Sequence, residues 1–238
     1  MASLASSASR FLTSQLSKLS TAASAPNPVA ALHAALREAI RADAESLRRP
    51  GPAVDALLDL MRGVDAAALG VGPDTAAAAR RLARRDADAW YVPVVEAPNY
   101  TIAVFVLEPG AVIPLHDHPG MTVLSKVVAG SVRVRSFDVV ERSGDGTLSA
   151  RPSEQTVDAP AIVQLFPDVT NLHEFTAGPA GVAILDVMTP PYDADDRDCH
   201  YFEISAPGAD LATLRVLRGV DEPDFECLGA PYAGLRPD

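Results

Sequence analysis

The sequence predicts a mainly β protein, an antiparallel sandwich or barrel with a short α-helical region in front of it. Three observations carry this. Apolar spacing changes from a helical period to a strand period near Trp90. Beyond that point, short apolar runs follow one another with Pro and Gly between them. Between residues 98 and 190 no helical pattern of any length occurs, so the strands connect to each other directly rather than through crossover helices.

The 238 residues suffice for one good-sized domain, or a domain with a helical appendage. Asp plus Glu total 31 and Lys plus Arg total 20, a formal charge of −11. An acidic chain without long basic runs argues against a nucleic-acid partner and against a polybasic membrane surface. No stretch reaches the roughly 18–20 apolar residues of a spanning helix, so no membrane partner is expected either. A hydrophobic fraction of 48% with 21% charged residues excludes wholesale disorder. Two cysteines, Cys199 and Cys227, cannot build a disulfide scaffold, so a reducing, cytoplasmic setting is the default expectation, with a monomer as the working unit.

The chain divides into a flexible or transit-like segment at 1–26, a helical region at 27–89 and a β domain at 90–238. Residues 1–25 are rich in Ser and Ala, carry Arg10 and Lys18, and have no acidic residue, the first being Glu38. With Leu12, Leu16 and Leu19 at helical spacing, that is the composition of a mitochondrial or other organelle transit peptide, or of a plain Ser/Ala-rich tail. Asn27-Pro28 starts a helix whose face is Val29, Leu32, Leu36 and Ile40, ending before Pro50-Gly51-Pro52. Val54, Leu57, Leu58 and Met61 mark a second helix, and an Ala- and Arg-rich segment from about Thr75 to Asp88 a third. His33 on the first helix reads as a surface or packing residue. Expected strands are Tyr100–Leu107, Thr122–Ala129, Ser131–Phe137 beyond Gly130, Ile162–Phe166, Gly181–Val187 and Tyr201–Ile204, with a turn at Gly144-Asp145-Gly146.

Chemistry concentrates in the β region, which holds four of the five histidines. His116 and His118 form His-x-His, and on a strand both rings face one side. His173 follows a later apolar run. Three neutral imidazoles on rigid strands make a facial metal site with open positions, and nitrogen donors of this kind suit Fe(II), Zn, Cu or Ni.

Gly110, five residues, His116, one residue, His118 and then Gly130 resembles the first motif of the cupin superfamily, whose fold is a double-stranded β-helix or jelly-roll barrel; Pro167 to His173 resembles its second motif with one extra residue. The Glu ligand usual in cupins is replaced by Thr122 and Val123. Three neutral ligands leave the metal's 2+ charge to an anionic substrate, and a thiolate is the soft anion that fits. Ile113-Pro-Leu-His-Asp-His-Pro-Gly-Met-Thr122, Ser136-Phe-Asp138, Asn171-Leu-His173, Leu185-Asp186, Pro190-Pro-Tyr192, Arg197-Asp-Cys-His-Tyr201 and Gly229-Ala-Pro-Tyr-Ala-Gly234 together resemble the thiol dioxygenase family of cysteamine (2-aminoethanethiol) dioxygenase and the plant cysteine oxidases, over about residues 53 to 238. Thr122-Val-Leu-Ser-Lys126 is similar to the plant branch; Asp198-Cys-His-Tyr201 and Asp224-Phe-Glu-Cys227 are similar to the animal one.

The resemblance implies Fe(2+) held by His116, His118 and His173, dioxygen as co-substrate, and a sulfinic acid made from cysteamine or from a protein's N-terminal cysteine, in some members as an oxygen sensor that commits the protein to degradation through the N-degron pathway. It implies substrate-side roles for Asp186 and Tyr192; the bland alternatives are a strand end and a rigid Pro-Pro-Tyr turn. It also implies that Cys199 and Tyr201 can form a thioether, against a buried thiol and a core tyrosine. Asp117 and His200 should face away from the metal, and Cys227 reads as a packed thiol. A different class of function, a non-enzymatic cupin that binds a metal or small ligand, has no use for Asp186 and Tyr192; a zinc or nickel cupin of other specificity is disfavoured by the missing Glu.

Overall fold

The computed structural model describes residues 27–238 apart from Pro73 and Arg84, so the transit-like segment lies outside the described residues. Helix α1 (Pro28–Asp43) starts as its sequence dictates: Asn27 Oδ1 accepts the free amides of Val29 and Ala30 at 3.0 and 3.1 Å, and Pro28 fills the first turn. Helix α2 (Pro52–Arg62) buries the expected stripe of Val54, Leu57, Leu58 and Met61. Helix α3 (Thr75–Ala83) ends earlier than its composition suggests. By Asp88 and Ala89 the chain is extended, and both amides bond the Glu226 carbonyl. Among the described residues, no helix is long and apolar enough to cross a membrane.

Ten strands make one curled sheet: β1 (Ala89–Ala97), β2 (Tyr100–Leu107), β3 (Val112–Asp117), β4 (Thr122–Arg142), β5 (Thr147–Asp158), β6 (Ile162–Leu165), β7 (Leu172–Thr189), β8 (Phe202–Ala206), β9 (Ala212–Val216) and β10 (Cys227–Gly229). The paired runs expected on either side of Gly130 are one strand of 21 residues, β4. Gly130 kinks this strand without ending it. Its φ of +73° and the Gly181 carbonyl, 2.0 Å from where a Cβ would sit, both demand glycine there, and the register slips on each side absorb the bend. The 18-residue β7 pairs with β4 along its length, so these two form the spine of both halves. β2 and β3 lie against successive parts of β7, and β6 and β5 against successive parts of β4. At the β3 end the sheet bridges back on itself through His116 and Tyr201. The result is a mainly β, curled-sheet half-barrel with a short helical region before it, the class expected from the sequence.

The helices are not a separate body. Val29, Leu32, Leu36, Leu57 and Met61 share one apolar core with Trp90, Ile102, Val104 and Leu185 of the sheet, so the boundary at residue 89 is a change of secondary structure and not a break in packing. The C-terminal tail closes over the junction: Leu235 N–H bonds Ala68 O at 2.7 Å, and His33, buried on α1, donates from Nδ1 to Pro237 O and accepts the Tyr100 hydroxyl at Nε2. His33 is thereby a packing residue.

The strongest polar tie is Lys126 of β4, 2% exposed, whose ammonium donates to Met61 O, Arg62 O and Val64 O at 2.6–2.9 Å. Met61 O and Arg62 O belong to the last turn of α2 and Val64 O follows just after it; Met61 O also accepts the Val64 amide, and a cation there is favoured by the helix dipole. Lys126→Met fills similar volume but strips these carbonyls of the ammonium donor. Each orphaned buried acceptor costs about 1–3 kcal/mol, so urea unfolding of this variant should show a loss of at least about 2 kcal/mol. Unchanged stability would mean that water replaces the ammonium.

Candidate metal centre

The site is built on β3 and β7. His116 on β3 lies opposite His173 on β7 in the antiparallel register. Leu115, between the strand's inward positions, turns the other way into a cluster with Phe137 and Leu172. Asp117 also turns away: its carboxylate accepts the His200 amide at 2.8 Å and faces the His200 ring. His118, just past the end of β3, is fixed by Asn171. The Asn171 amide donates to His118 O at 2.8 Å and its oxygen accepts His118 N–H at 3.2 Å.

The structure brings all three candidate histidines together, buried, with their ligand nitrogens within 4.8 Å of one another. His118 Nε2 and His173 Nε2 stand 3.0 Å apart. His116 donates its Nδ1 proton to Pro114 O at 2.8 Å, which leaves Nε2 with a free lone pair. Tyr192 does the same for His118: its hydroxyl donates to Asp117 O at 2.7 Å, lies 2.9 Å from His118 Nδ1, and so accepts the proton there. Its ring stacks on the imidazole at 5.2 Å. Burial holds all three imidazoles neutral, His116 at about 4 and the other two well below the usual histidine value. Neutral rings are the form that binds metals.

His118 and His173 are spaced to share one first-row cation. Two nitrogens about 2.1 Å from one metal and 90° apart lie about 3.0 Å from each other, the separation seen between His118 and His173. No carboxylate belongs to the group.

The histidines form one wall of a cavity of about 240 Å³ whose other walls are mostly apolar, among them Phe105, Ile113, Phe175 and Met188. Asp186 enters it from β7, opposite Ser125 of β4. It is mid-strand, so the strand-end reading does not hold. Only 5% exposed, Asp186 takes a hydrogen bond from Ser125 on one side, while Oδ1 has no partner. Desolvation pushes its carboxyl up to about 7, with Ser125 pulling the other way. Tyr192, Cys199 and Tyr201 line the same cavity. Desolvation raises Cys199 to about 12, with the nearby carboxylates of Asp117, Asp198 and Glu222 acting in the same direction. The expectation for Cys227 is corrected: the residue is exposed and lines the cavity with Phe225, because β10 places it at the sheet edge beside Ala89.

Two supporting roles have only weak signals in the sequence. Asn171 stands in a matched motif, but nothing there shows that it clamps the His118 backbone. Ser125 is one polar residue in an apolar strand, and its pairing with Asp186 depends on the β4–β7 register.

Comparison with known proteins gives a family and several relatives. The PCO_ADO family model matches residues 58–234. The chain is 33% identical to 2-aminoethanethiol dioxygenase of Homo sapiens, over 61% of this chain and 67% of that one. It is 34% identical to the probable 2-aminoethanethiol dioxygenase of Dictyostelium discoideum, over 59% and 65%. Plant cysteine oxidase 1 of Arabidopsis thaliana is 40% identical over 47% of this chain and 40% of its own length. The matched stretch therefore spans about two thirds of the first two relatives and two fifths of the plant protein.

Proposed function

The chain belongs to the PCO_ADO family, and we propose that it is an iron-dependent thiol dioxygenase that adds both atoms of O₂ to the sulfur of cysteamine or of a protein's N-terminal cysteine. The observation that carries this reading is the all-imidazole group without a carboxylate, set beside the buried carboxylate of Asp186, whose Oδ1 has no hydrogen-bond partner. When bound through His116, His118 and His173, ferrous iron supplies redox chemistry for a thiolate and dioxygen. A neutral ligand set leaves the cation's charge uncompensated, which favours an anionic sulfur over a neutral one.

The chain's own residues supply the rest. Pro114 O and the Tyr192 hydroxyl fix the tautomers of His116 and His118, the usual way in which outer groups orient ligating imidazoles. Asp186 Oδ1 holds the substrate ammonium or takes the thiol proton, two roles suited to an anion short of partners. The apolar walls keep bulk water out and strengthen both contacts. Cys199 and Tyr201, two residues apart on the wall, are the pair assigned to thioether formation. The sulfinic product is generally not reversed, which suits an oxygen-sensing role through the N-degron pathway. Two unpaired cysteines suit a cytoplasmic setting.

The test is metal analysis of purified protein together with oxygen uptake on cysteamine, free cysteine and a Cys-initiated peptide. Iron near one equivalent, and oxygen consumed with sulfinic acid formed on at least one of the amine-bearing thiols, is expected. Iron without thiol-dependent uptake would leave a non-enzymatic metal-binding cupin; zinc or nickel in place of iron would overturn the cofactor.

A further inference from the structure

Two acidic chain segments contribute to the wall of the cavity. The first runs from Tyr192 to Tyr201, both cavity-lining, and carries Asp193, Asp195, Asp196 and Asp198 against Arg197 alone. Arg197 is half-buried and its Nε is spent on Pro191 O. The second runs from Gly219 to Cys227, with Phe225 and Cys227 on the cavity wall, and carries Asp221, Glu222, Asp224 and Glu226 with no basic residue. Arg85 pairs with Glu226, and Arg215 pairs with Glu203 and lies 3.9 Å from Asp221. Arg218, exposed, is the remaining nearby cation of this stretch.

Asp198 and Glu222 are close enough to make both Cys199 and Tyr201 weaker acids, and every charged neighbour that acts on these two wall residues is an anion or a thiol. A second and separate feature points the same way. Asp186, 5% exposed inside the same cavity, has a carboxylate oxygen with no hydrogen-bond partner. One unpaired carboxylate oxygen lies in a mostly apolar cavity, and the two segments that reach its wall are acidic. A ligand complementary to both is cationic at its buried end and again several residues further out.

We propose that the acidic rim formed by residues 193–198 and 221–226 is a docking surface for the segment that follows the N-terminal cysteine of a protein substrate, and that it selects segments rich in Lys and Arg. This rests on the thiol dioxygenase reading and adds to it a choice among Cys-initiated chains. Exposed ion pairs contribute about 0.2–1 kcal/mol each. Several acting together give roughly tenfold discrimination, realised mainly in KM and in association rate, and screened by salt.

The experiment compares peptides beginning Cys-Lys-Lys, Cys-Gly-Gly and Cys-Glu-Glu with otherwise identical sequences. All three carry the same α-ammonium and thiol, so their ratio isolates the rim. At low salt, kcat/KM for the basic peptide should exceed that for the acidic one by about tenfold, with similar kcat, and the ratio should approach one at 1 M salt, where the Debye length is about 3 Å. In the double variant Asp198→Asn/Glu222→Gln the side chains can still accept the Cys199 and Gly219 amides they hold now. The ratio should shrink at least threefold there while the kcat of each peptide stays as it was. Equal kcat/KM for all three peptides at low salt, or a ratio untouched by the double variant, overturns the proposal.

Binding of unreactive Ser-Lys-Lys and Ser-Glu-Glu peptides, followed by fluorescence anisotropy, separates the two readings. Salt-sensitive preference for the basic peptide without turnover of any thiol removes the dioxygenase and keeps the rim. Turnover without preference in either assay does the reverse.

Discussion

His173→Ala should yield a folded protein that holds no iron and consumes no oxygen with any thiol. The ring it removes is 6% exposed on β7, one of the two strands that form the spine, and its Nε2 faces that of His118 at 3.0 Å. Losing it leaves two imidazoles, and no other His, Cys, Asp or Glu group among the described residues is placed to complete the set. Removing a group that merely orients a ligand costs roughly 10–100-fold in metal affinity, so removing a ligand costs more than that, enough to strip iron during purification. Stability is a separate matter. Three neutral rings crowded against one another are a poor core without a cation, and His173 also packs on Phe175 with ring centres 4.3 Å apart. The lost packing and the relieved crowding oppose each other, and thermal unfolding of the metal-free proteins should differ little. Iron content by elemental analysis, beside circular dichroism, checks both halves. A variant that keeps stoichiometric iron would remove His173 from the ligand set, and with it the whole reading of the site.

The sequence reveals this triad because strand periodicity is local. His116 and His118, two apart on an extended run, must share a side, and Asp117 between them must not; the structure has Asp117 tied to His200 and outside the cavity. The Asn27 cap, the stripes of α1 and α2 and the span of β2 are likewise decided by neighbours a few residues away. What the sequence hides is register. Gly130 marks a break in pattern, and a strand end and a tolerated kink look alike until the Gly181 carbonyl is seen against it. Lys126 looks like a surface residue in a β run, yet its partners are carbonyls more than sixty positions earlier. Tyr192 is legible as part of a Pro-Pro-Tyr turn, while the carriage of the His118 proton by its hydroxyl depends on where that turn lands. Cys227 turns out exposed because β10 adds to the sheet edge in parallel with β1, a pairing across more than 130 residues.

Asp186→Asn separates holding the metal from using it. The substitution keeps the shape, and the amide oxygen can still accept from Ser125, so the histidines and their iron should be undisturbed. What goes is the negative charge at the unpaired oxygen. In the wild type that charge is costly to keep: burial lifts the carboxyl to about 7, above the ordinary aspartate value near 4. A group whose folded value is raised binds its proton more tightly in the folded state, so it takes stability away as pH rises from about 4 through 7. The metal-free Asn variant should therefore equal the wild type in thermal stability near pH 4 and exceed it increasingly toward pH 7. Turnover should move the opposite way. Proton transfer or charge pairing by a placed carboxylate contributes about 10²–10⁴-fold, so kcat/KM for cysteamine should fall by at least about 100-fold at neutral pH with iron content unchanged. Loss of iron in this variant would make Asp186 a holding ligand and refute its substrate-side role; full activity would leave the buried charge without a function. A site that gives up folding energy to keep one anion unpaired is the expected signature of a group waiting for a cationic substrate, and the paired stability and rate measurements read both sides of that trade on one substitution.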